Sequence, residues 1–168
     1  MAIRESILPE FDHEVANTRK MLERVPEGNW GWKPHDKSMT LGGLASHLAE
    51  IPGWGATILV GDVYDMAPVG GRSYVRPKLE SRAEILSLFD ANVAKLRGRI
   101  AECTDAEFMK PWSMQKGGQT MMTMPRVAVV RNLLLNHIIH HRGQFSVYLR
   151  MQGVPLPGLY GPTADEQM

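Results

Sequence analysis

The amino-acid sequence predicts an all-α protein, a four-helix bundle in which a long crossover connection joins the second and third helices. Apolar residues recur at alternating steps of three and four in four separate stretches, which is the spacing of one helix face. The connection over residues 62–80 is long and contains proline and glycine, whereas the link before the second stretch is short. This combination fits a bundle with a crossover better than a simple up-and-down bundle.

Length and composition define the class of protein. The 168 residues fit a single domain over 1–168, and 43% of them are hydrophobic, which is enough for a core. The net charge of +1 provides no basic surface for nucleic acid. No signal peptide is recognisable, and no apolar stretch approaches the roughly 20 residues that cross a bilayer. Because the single cysteine, Cys103, cannot form an internal disulfide, we expect a cytoplasmic protein without a membrane partner.

The first two helices are predicted over residues 8–25 and 40–58. We expect Pro9 near the start of the first, since an interior proline loses a hydrogen bond and clashes with the preceding turn. Pro52 falls inside the second pattern, where we expect a kink or a nearby boundary. His47 lies on the inward stripe of this second helix, between apolar neighbours.

The third helix is marked at its start, and the fourth at both ends. Residues 81–84 have the pattern of a capping box ahead of the third run, which covers 86–100. The fourth helix is predicted over 125–151, because proline suits the first helical position and a glycine and a proline follow the last apolar residue. Between these helices, residues 108–124 contain a turn signal at 116–119 that indicates a short hairpin.

Three histidines lie on the inward stripes of two helices. His137 and His141 are four residues apart, which is one turn plus about 40°, so both imidazoles leave the same face of the fourth helix. A single histidine on an apolar stripe is usually a hydrogen-bonded core residue. Burying three is costly unless each finds a partner, and one divalent metal would serve His47, His137 and His141 together. Three ligands with an open position are typical of a catalytic metal.

Several neighbours could support these ligands. His140 flanks the stripe, and we interpret it as a residue that supports a ligand or makes a helix–helix hydrogen bond. Gln144, predicted to be buried, could orient a ligand imidazole or a metal-bound water, and an interhelical hydrogen bond is the equal alternative. Glu50, three residues after His47, is expected to be exposed, with support of His47 as the alternative. Arg142 is expected to have a structural role.

The sequence resembles the DinB/YfiT-like superfamily of bacterial four-helix-bundle metalloenzymes. Five segments carry the resemblance: Trp30–His35, Ser38–Leu41, Leu44–Glu50, Asn136–Gln144 and Tyr160–Glu166. The metal triad of that superfamily is one histidine on the second helix and an H-x-x-x-H pair on the fourth. These positions correspond here to His47, His137 and His141, and no ligand position departs from the pattern.

The resemblance implies an up-down-down-up bundle, a homodimer and one divalent ion, most often zinc or nickel. Some relatives transfer low-molecular-weight thiols. Our first hypothesis is therefore a metal-dependent enzyme that acts on a small-molecule substrate, by thiol transfer or, second, by hydrolysis, with Trp54, Trp112 and Tyr148 around an apolar pocket. The alternative is a non-catalytic metal-binding stress-response protein, and a third hypothesis is a metal-free helical dimer.

Overall fold

A computed structural model describes residues 1–71 and 74–166. The helices are α1 Ile3–Leu22, α2 Leu41–Ile58, α3 Arg82–Glu102, α4 Asp105–Met109, α5 Arg126–Val129 and α6 Asn136–Met151, and a π-helical segment, Val130–Leu135, joins α5 to α6. The strands are β1 Val63–Asp65, β2 Pro111–Lys116 and β3 Gln119–Pro125. The protein is thus mostly helical, as predicted, but the all-α class is wrong because a small three-stranded sheet is present.

Side-chain caps fix where α2 and α3 begin. The Thr40 hydroxyl oxygen accepts a hydrogen bond of 3.0 Å from the Gly43 N–H at the start of α2. Ser81 and Glu84 form the predicted capping box, in which the Ser81 hydroxyl accepts from the Glu84 N–H at 3.2 Å and the Glu84 carboxylate accepts from the Ser81 N–H at 3.1 Å. Each cap satisfies N–H groups that have no partner within the first turn.

Proline lies inside two helices. The apolar pattern indicated that Pro9 lies near the start of the first helix. Because α1 begins at Ile3, Pro9 lies instead in its interior. Pro52 also lies within α2, which continues beyond it to Ile58. The periodic pattern therefore identified both helices but misplaced the first boundary of α1.

The predicted hairpin is present, and a third strand extends it. β2 and β3 are antiparallel and joined by Gly117 and Gly118, with φ of 60° and 78°, a left-handed conformation that favours glycine. β1 pairs in parallel with β2, so that Val63 lies opposite Ser113. The sequence did not predict β1, because three residues are too few to show an alternating pattern.

Part of the core lies where α2 meets α3 and the π-helical segment. Gly55 of α2 is needed at this crossing, because a Cβ there would lie 2.5 Å from a methyl carbon of Leu134 and 2.6 Å from one of Leu96. The absence of a side chain lets the three elements approach closely. Within the described ranges, no helix combines the length and apolar character needed to cross a bilayer.

The π-helical segment changes which face of α6 is buried. Four buried residues follow at steps of four: Val130, Leu134, Ile138 and Arg142. In a straight α-helix, twelve residues would turn this row by about 120° from its starting face, and the wider π turn compensates for that drift. The predicted stripe is therefore wrong by one residue in α6, where Ile138 and Phe145 are fully buried and His137 and His141 lie beside them, partly exposed.

Candidate metal centre

Three imidazoles from α2 and α6 converge on one point. His47 Nε2 lies 3.2 Å from His137 Nε2, and the ring of His141 lies 4.4 Å from that of His47 and 4.6 Å from that of His137, centroid to centroid. One nitrogen from each ring lies within 4.8 Å of the other two. Two nitrogens on a tetrahedral ion at about 2.05 Å would be about 3.3 Å apart, so the cluster could hold a divalent ion with little movement.

Burial keeps these imidazoles in the neutral form that binds metals. The pKa of His47 is lowered to about 3, mainly because the ring is removed from water. Electrostatic repulsion by His141, His137 and Arg76 lowers it further. Burial is also the largest cause of the lowered pKa values of His137 and His141. At neutral pH the three rings are therefore neutral, and each has one nitrogen without a proton. A cation does not have to displace a proton from that nitrogen.

A hydrogen bond fixes the orientation of one of the rings. The Gln144 carboxamide oxygen lies 2.7 Å from His141 Nδ1, so that Nδ1–H donates to it and Nε2 is left as the free ligand atom. A hydrogen bond to the Leu133 backbone carbonyl raises the pKa of His137 and so opposes the effect of burial. Gln144 therefore contacts a ring of the triad, although it is exposed rather than buried.

His140 lies outside the cluster of three. Its side chain is exposed, and its ring packs at 4.9 Å from that of His141, nearly perpendicular to it. This contact gives His140 no nitrogen in the space between the other three rings. Its predicted supporting role rests on this one aromatic contact.

A buried carboxylate lies one turn from His47. Glu50 was expected to be exposed, but only 3% of it is accessible. Arg76 Nε lies 3.1 Å from Glu50 Oε2, and Arg76 Nη2 lies 3.5 Å from His47 Nδ1. Burial raises the pKa of Glu50, whereas Arg76 and the Tyr74 hydroxyl lower it. Arg76 belongs to the 62–80 connection, and no periodicity or motif in the sequence indicated that it would lie beside His47 and Glu50.

A cavity of about 710 Å³ opens beside the triad, and His137 forms part of its wall. Its volume is within the range of about 300–1,000 Å³ that is usual for small-molecule sites. Helices α2 and α3, the 62–80 connection, the sheet and the π-helical segment all contribute to it. Most of the wall is apolar, with Trp54, Ile58, Met66, Leu88, Met114 and Leu133.

Two of the three aromatic residues expected at such a pocket are there. Trp54 and Trp112 line the cavity. Tyr148 does not, because its hydroxyl donates to the Met39 carbonyl at 3.3 Å and its ring packs edge-on against Trp32. The expectation that Tyr148 lines the pocket is therefore wrong, and Tyr148 packs against Trp32 instead.

The chain is thus a mostly helical protein with a cluster of three histidines beside an apolar cavity. The model of the DinB family matches residues 4–167, and the chain belongs to that family. Among solved structures, it is similar to a DinB-like protein from Bacillus cereus ATCC 10987, with a TM-score of 0.69 and 22% identity over 93% of this chain and 97% of that one.

Two Bacillus subtilis proteins are also similar. The DinB-like protein YjoA has a TM-score of 0.67 and 16% identity over 97% of this chain and 99% of its own. At such identities both solved structures establish a shared fold only. The uncharacterized protein YrdA of strain 168 is 48% identical over 33 residues, and this match spans 20% of each chain.

Proposed function

We propose that this protein is a metal-dependent enzyme that holds one divalent ion, zinc or nickel, through His47, His137 and His141 and acts on a small molecule. The reaction we favour is transfer of a low-molecular-weight thiol to an electrophile, with hydrolysis second. One observation carries the proposal. Three neutral imidazoles face one point at the wall of a cavity large enough for a small molecule.

The residues around this point suit such chemistry. A divalent ion held there would supply Lewis acidity and lower the pKa of a bound water or thiol towards 7. Gln144 holds the His141 ring in one orientation, and burial keeps the three imidazoles neutral. The apolar walls limit the access of water to an electrophile, which favours a thiol over water as the nucleophile.

The overall reaction needs no oxidant. The thiol sulfur forms a bond to the electrophilic carbon, the leaving group departs with the electron pair of the broken bond, and the thiol proton passes to solvent. A cluster of three side chains also supports an enzyme more than a staple, since structural zinc sites are closed by four protein ligands.

The proposal includes the up-down-down-up bundle and the homodimer that the family resemblance implies. Support for the bundle comes from helix neighbours. α1 and α2 each pack against both α3 and α6, which closes a ring of four helices. This arrangement brings α2 and α6, which carry the triad, into direct contact.

Metal content per chain tests the proposal. Untagged protein is expected to bind close to one zinc or nickel ion, measured by elemental mass spectrometry after dialysis. His47→Ala and His137→Ala should lose that ion while circular dichroism shows the same helix content, and His35→Ala, at an exposed loop position, should retain it. A His137→Ala protein that still binds one ion with wild-type affinity would contradict the ligand assignment. A large fall in melting temperature on chelation would favour the non-catalytic alternative.

A further inference from the structure

One part of the cavity wall is attached differently from the rest. Residues 74–77 of the 62–80 connection contribute Tyr74 and Pro77 to the lining, and we call this segment the cover. It belongs to no helix or strand. Among the described residues, none of its N–H or carbonyl groups makes a backbone hydrogen bond. The helices and the sheet that form most of the wall are fixed by such bonds, so the cover depends on its side chains.

Most of the polar contact between the cover and the helices is with one side chain of α2. Arg76 Nε lies 3.1 Å from Glu50 Oε2, and the Tyr74 hydroxyl interacts with the same carboxylate, since each of the two groups shifts the pKa of the other. The contact between Arg76 Nη2 and His47 Nδ1, at 3.5 Å, is at the limit of a hydrogen bond. Glu50 is only 3% accessible, whereas the Arg76 side chain is 45% exposed. The carboxylate is thus a fixed point, and the guanidinium has access to water.

The apolar side chains of the cover add little to its attachment. Tyr74 is 54% exposed and Val75 is 83% exposed. Segments with few buried apolar contacts and no backbone hydrogen bonds open at a low cost in free energy, and the lids of binding sites are segments of this kind. The ion pair with Glu50 is therefore the main obstacle to opening of the cover.

We propose that Glu50 and Arg76 form a latch that keeps the cover closed over the cavity, and that a small molecule enters and leaves when this ion pair breaks. The inference rests on the proposed function for the cavity as the place where the small molecule binds, and it adds control of access to that place. It assigns Glu50 to holding the cover, without contact to the substrate or the metal. Because a latch closes the same path in both directions, it slows entry and exit equally and leaves the affinity unchanged.

Rates of dye binding test this latch. N-phenyl-1-naphthylamine, an uncharged dye that fluoresces in apolar surroundings, is mixed with chelator-treated protein and followed by stopped-flow fluorescence. Glu50→Gln keeps the shape of the side chain and removes its charge. The association and dissociation rate constants are each expected to rise about tenfold, the lower end for loss of a hydrogen bond to a charged group. Kd should change by less than about threefold, whereas a residue that only shaped the cavity would change Kd.

A second variant and a control assign the effect to the ion pair. Arg76→Gln should raise both rate constants to a similar extent, and Glu50→Gln/Arg76→Gln should resemble either single variant, since all three break the same contact. Lys78→Gln is the matched control, because it removes a charge from the same connection, but Lys78 is 86% exposed, pairs with Glu80 and does not line the cavity. Its rate constants should equal those of the wild type. Chymotrypsin should cleave after Tyr74 faster in the two latch variants and at the wild-type rate in Lys78→Gln.

The outcomes separate this inference from the proposed function. Unchanged rate constants in both Glu50→Gln and Arg76→Gln would overturn the inference, as would a wild-type protein that binds no dye. Faster dissociation with a matching loss of affinity would also overturn it, because Glu50 would then shape the cavity instead of holding its cover. None of these results would affect a metal stoichiometry of one. Conversely, a latch that operates in a protein that takes up no metal would support the inference and remove the metal-dependent enzyme.

Discussion

The ring of His141 is held by a hydrogen bond from within its own helix. Gln144 follows it by three residues, so both side chains lie on the same side of α6, and the contact of 2.7 Å selects the tautomer with the proton on Nδ1. A ligand fixed in this way loses less rotational freedom when it binds a cation. Gln144, although exposed, is therefore expected to contribute to the metal affinity of the site.

Removal of the Gln144 carboxamide is expected to weaken metal binding. In Gln144→Ala the His141 ring can rotate and change tautomer. Loss of such a supporting contact typically lowers the metal affinity by roughly 10–100-fold. Competition with a chromogenic chelator measures this loss. Gln144→Glu, which keeps an acceptor oxygen, should restore most of the affinity.

His140→Ala provides the control on the other side of the same ring. His140 contacts His141 only through its ring and is exposed, so we expect a change in affinity of less than about threefold. A loss equal to that of Gln144→Ala would show that His140 also supports the ligand, which was the sequence-based interpretation.

Local spacing explains which site residues could be predicted from the sequence. The separation of four between His137 and His141 fixes their common face whatever the helix packs against. The burial of Glu50 and the exposure of Gln144 depend instead on neighbours distant in sequence, such as Arg76. No pattern within α2 or α6 contains that information.

At the scale of elements, the π-helical segment determines how the fourth helix presents its histidines. It allows Ile138 and Arg142, rather than His137 and His141, to follow Leu134 into the core. Both imidazoles thus remain partly exposed, and His137 lines the cavity. A period of 3.6 cannot predict this shift, because the wider turn is a departure from that period.

The sheet is joined to the cavity wall through Asp65. Its carboxylate accepts hydrogen bonds from the N–H groups of Ala67, Gly117 and Gly118 at 2.9, 3.0 and 2.7 Å. The Ala67 contact contributes most to lowering the pKa of Asp65. Asp65 therefore connects the hairpin turn to the strand that precedes Met66, a cavity residue.

Asp65→Ala is expected to loosen this connection without unfolding the helices. The N–H groups of Gly117 and Gly118 lose their acceptor, and their hydrogen exchange should become about tenfold faster, measured by NMR or mass spectrometry. Asp65→Asn keeps one acceptor oxygen and should give an intermediate rate. Equal exchange rates in the wild-type and alanine proteins would contradict the role assigned to Asp65.

At the scale of the whole molecule, a buried ion pair joins the two ends of the chain. Arg142 Nη2 lies 2.6 Å from Glu14 Oε2, and Arg142 Nη1 donates to the Glu14 backbone carbonyl at 2.9 Å. The Tyr160 hydroxyl donates to the same carboxylate oxygen at 2.6 Å. Helices α1 and α6 and the C-terminal segment therefore meet at one network. Arg142 has the structural role that was predicted.

The cavity could not be predicted in the same way, because it belongs to no single segment. Trp54, Leu88 and Trp112 come from α2, α3 and β2, and only the assembled fold brings them together. The periodic helices were predicted because their apolar faces are local patterns. The enclosed space between them is a property of their packing.

Removal of one partner of the Arg142–Glu14 pair is expected to destabilise the whole molecule. Arg142→Met leaves the Glu14 carboxylate buried without its counter-ion, and breaking a buried pair typically costs about 3–5 kcal/mol in free energy of unfolding. Urea denaturation followed by circular dichroism measures this loss. The double variant Glu14→Met/Arg142→Met removes both charges and should lose less than Arg142→Met alone, since no unpaired charge remains.

An exposed ion pair that also involves α1 provides the matched control. Arg97 of α3 and Asp12 of α1 are 2.9 Å apart and about half exposed, so water already solvates each charge and Arg97→Met should change the urea midpoint little. If Arg142→Met were no more harmful than Arg97→Met, the network would not hold the ends of the chain together. Because α6 also carries His137 and His141, a large effect of Arg142→Met should be accompanied by weaker metal binding at urea concentrations below the unfolding transition.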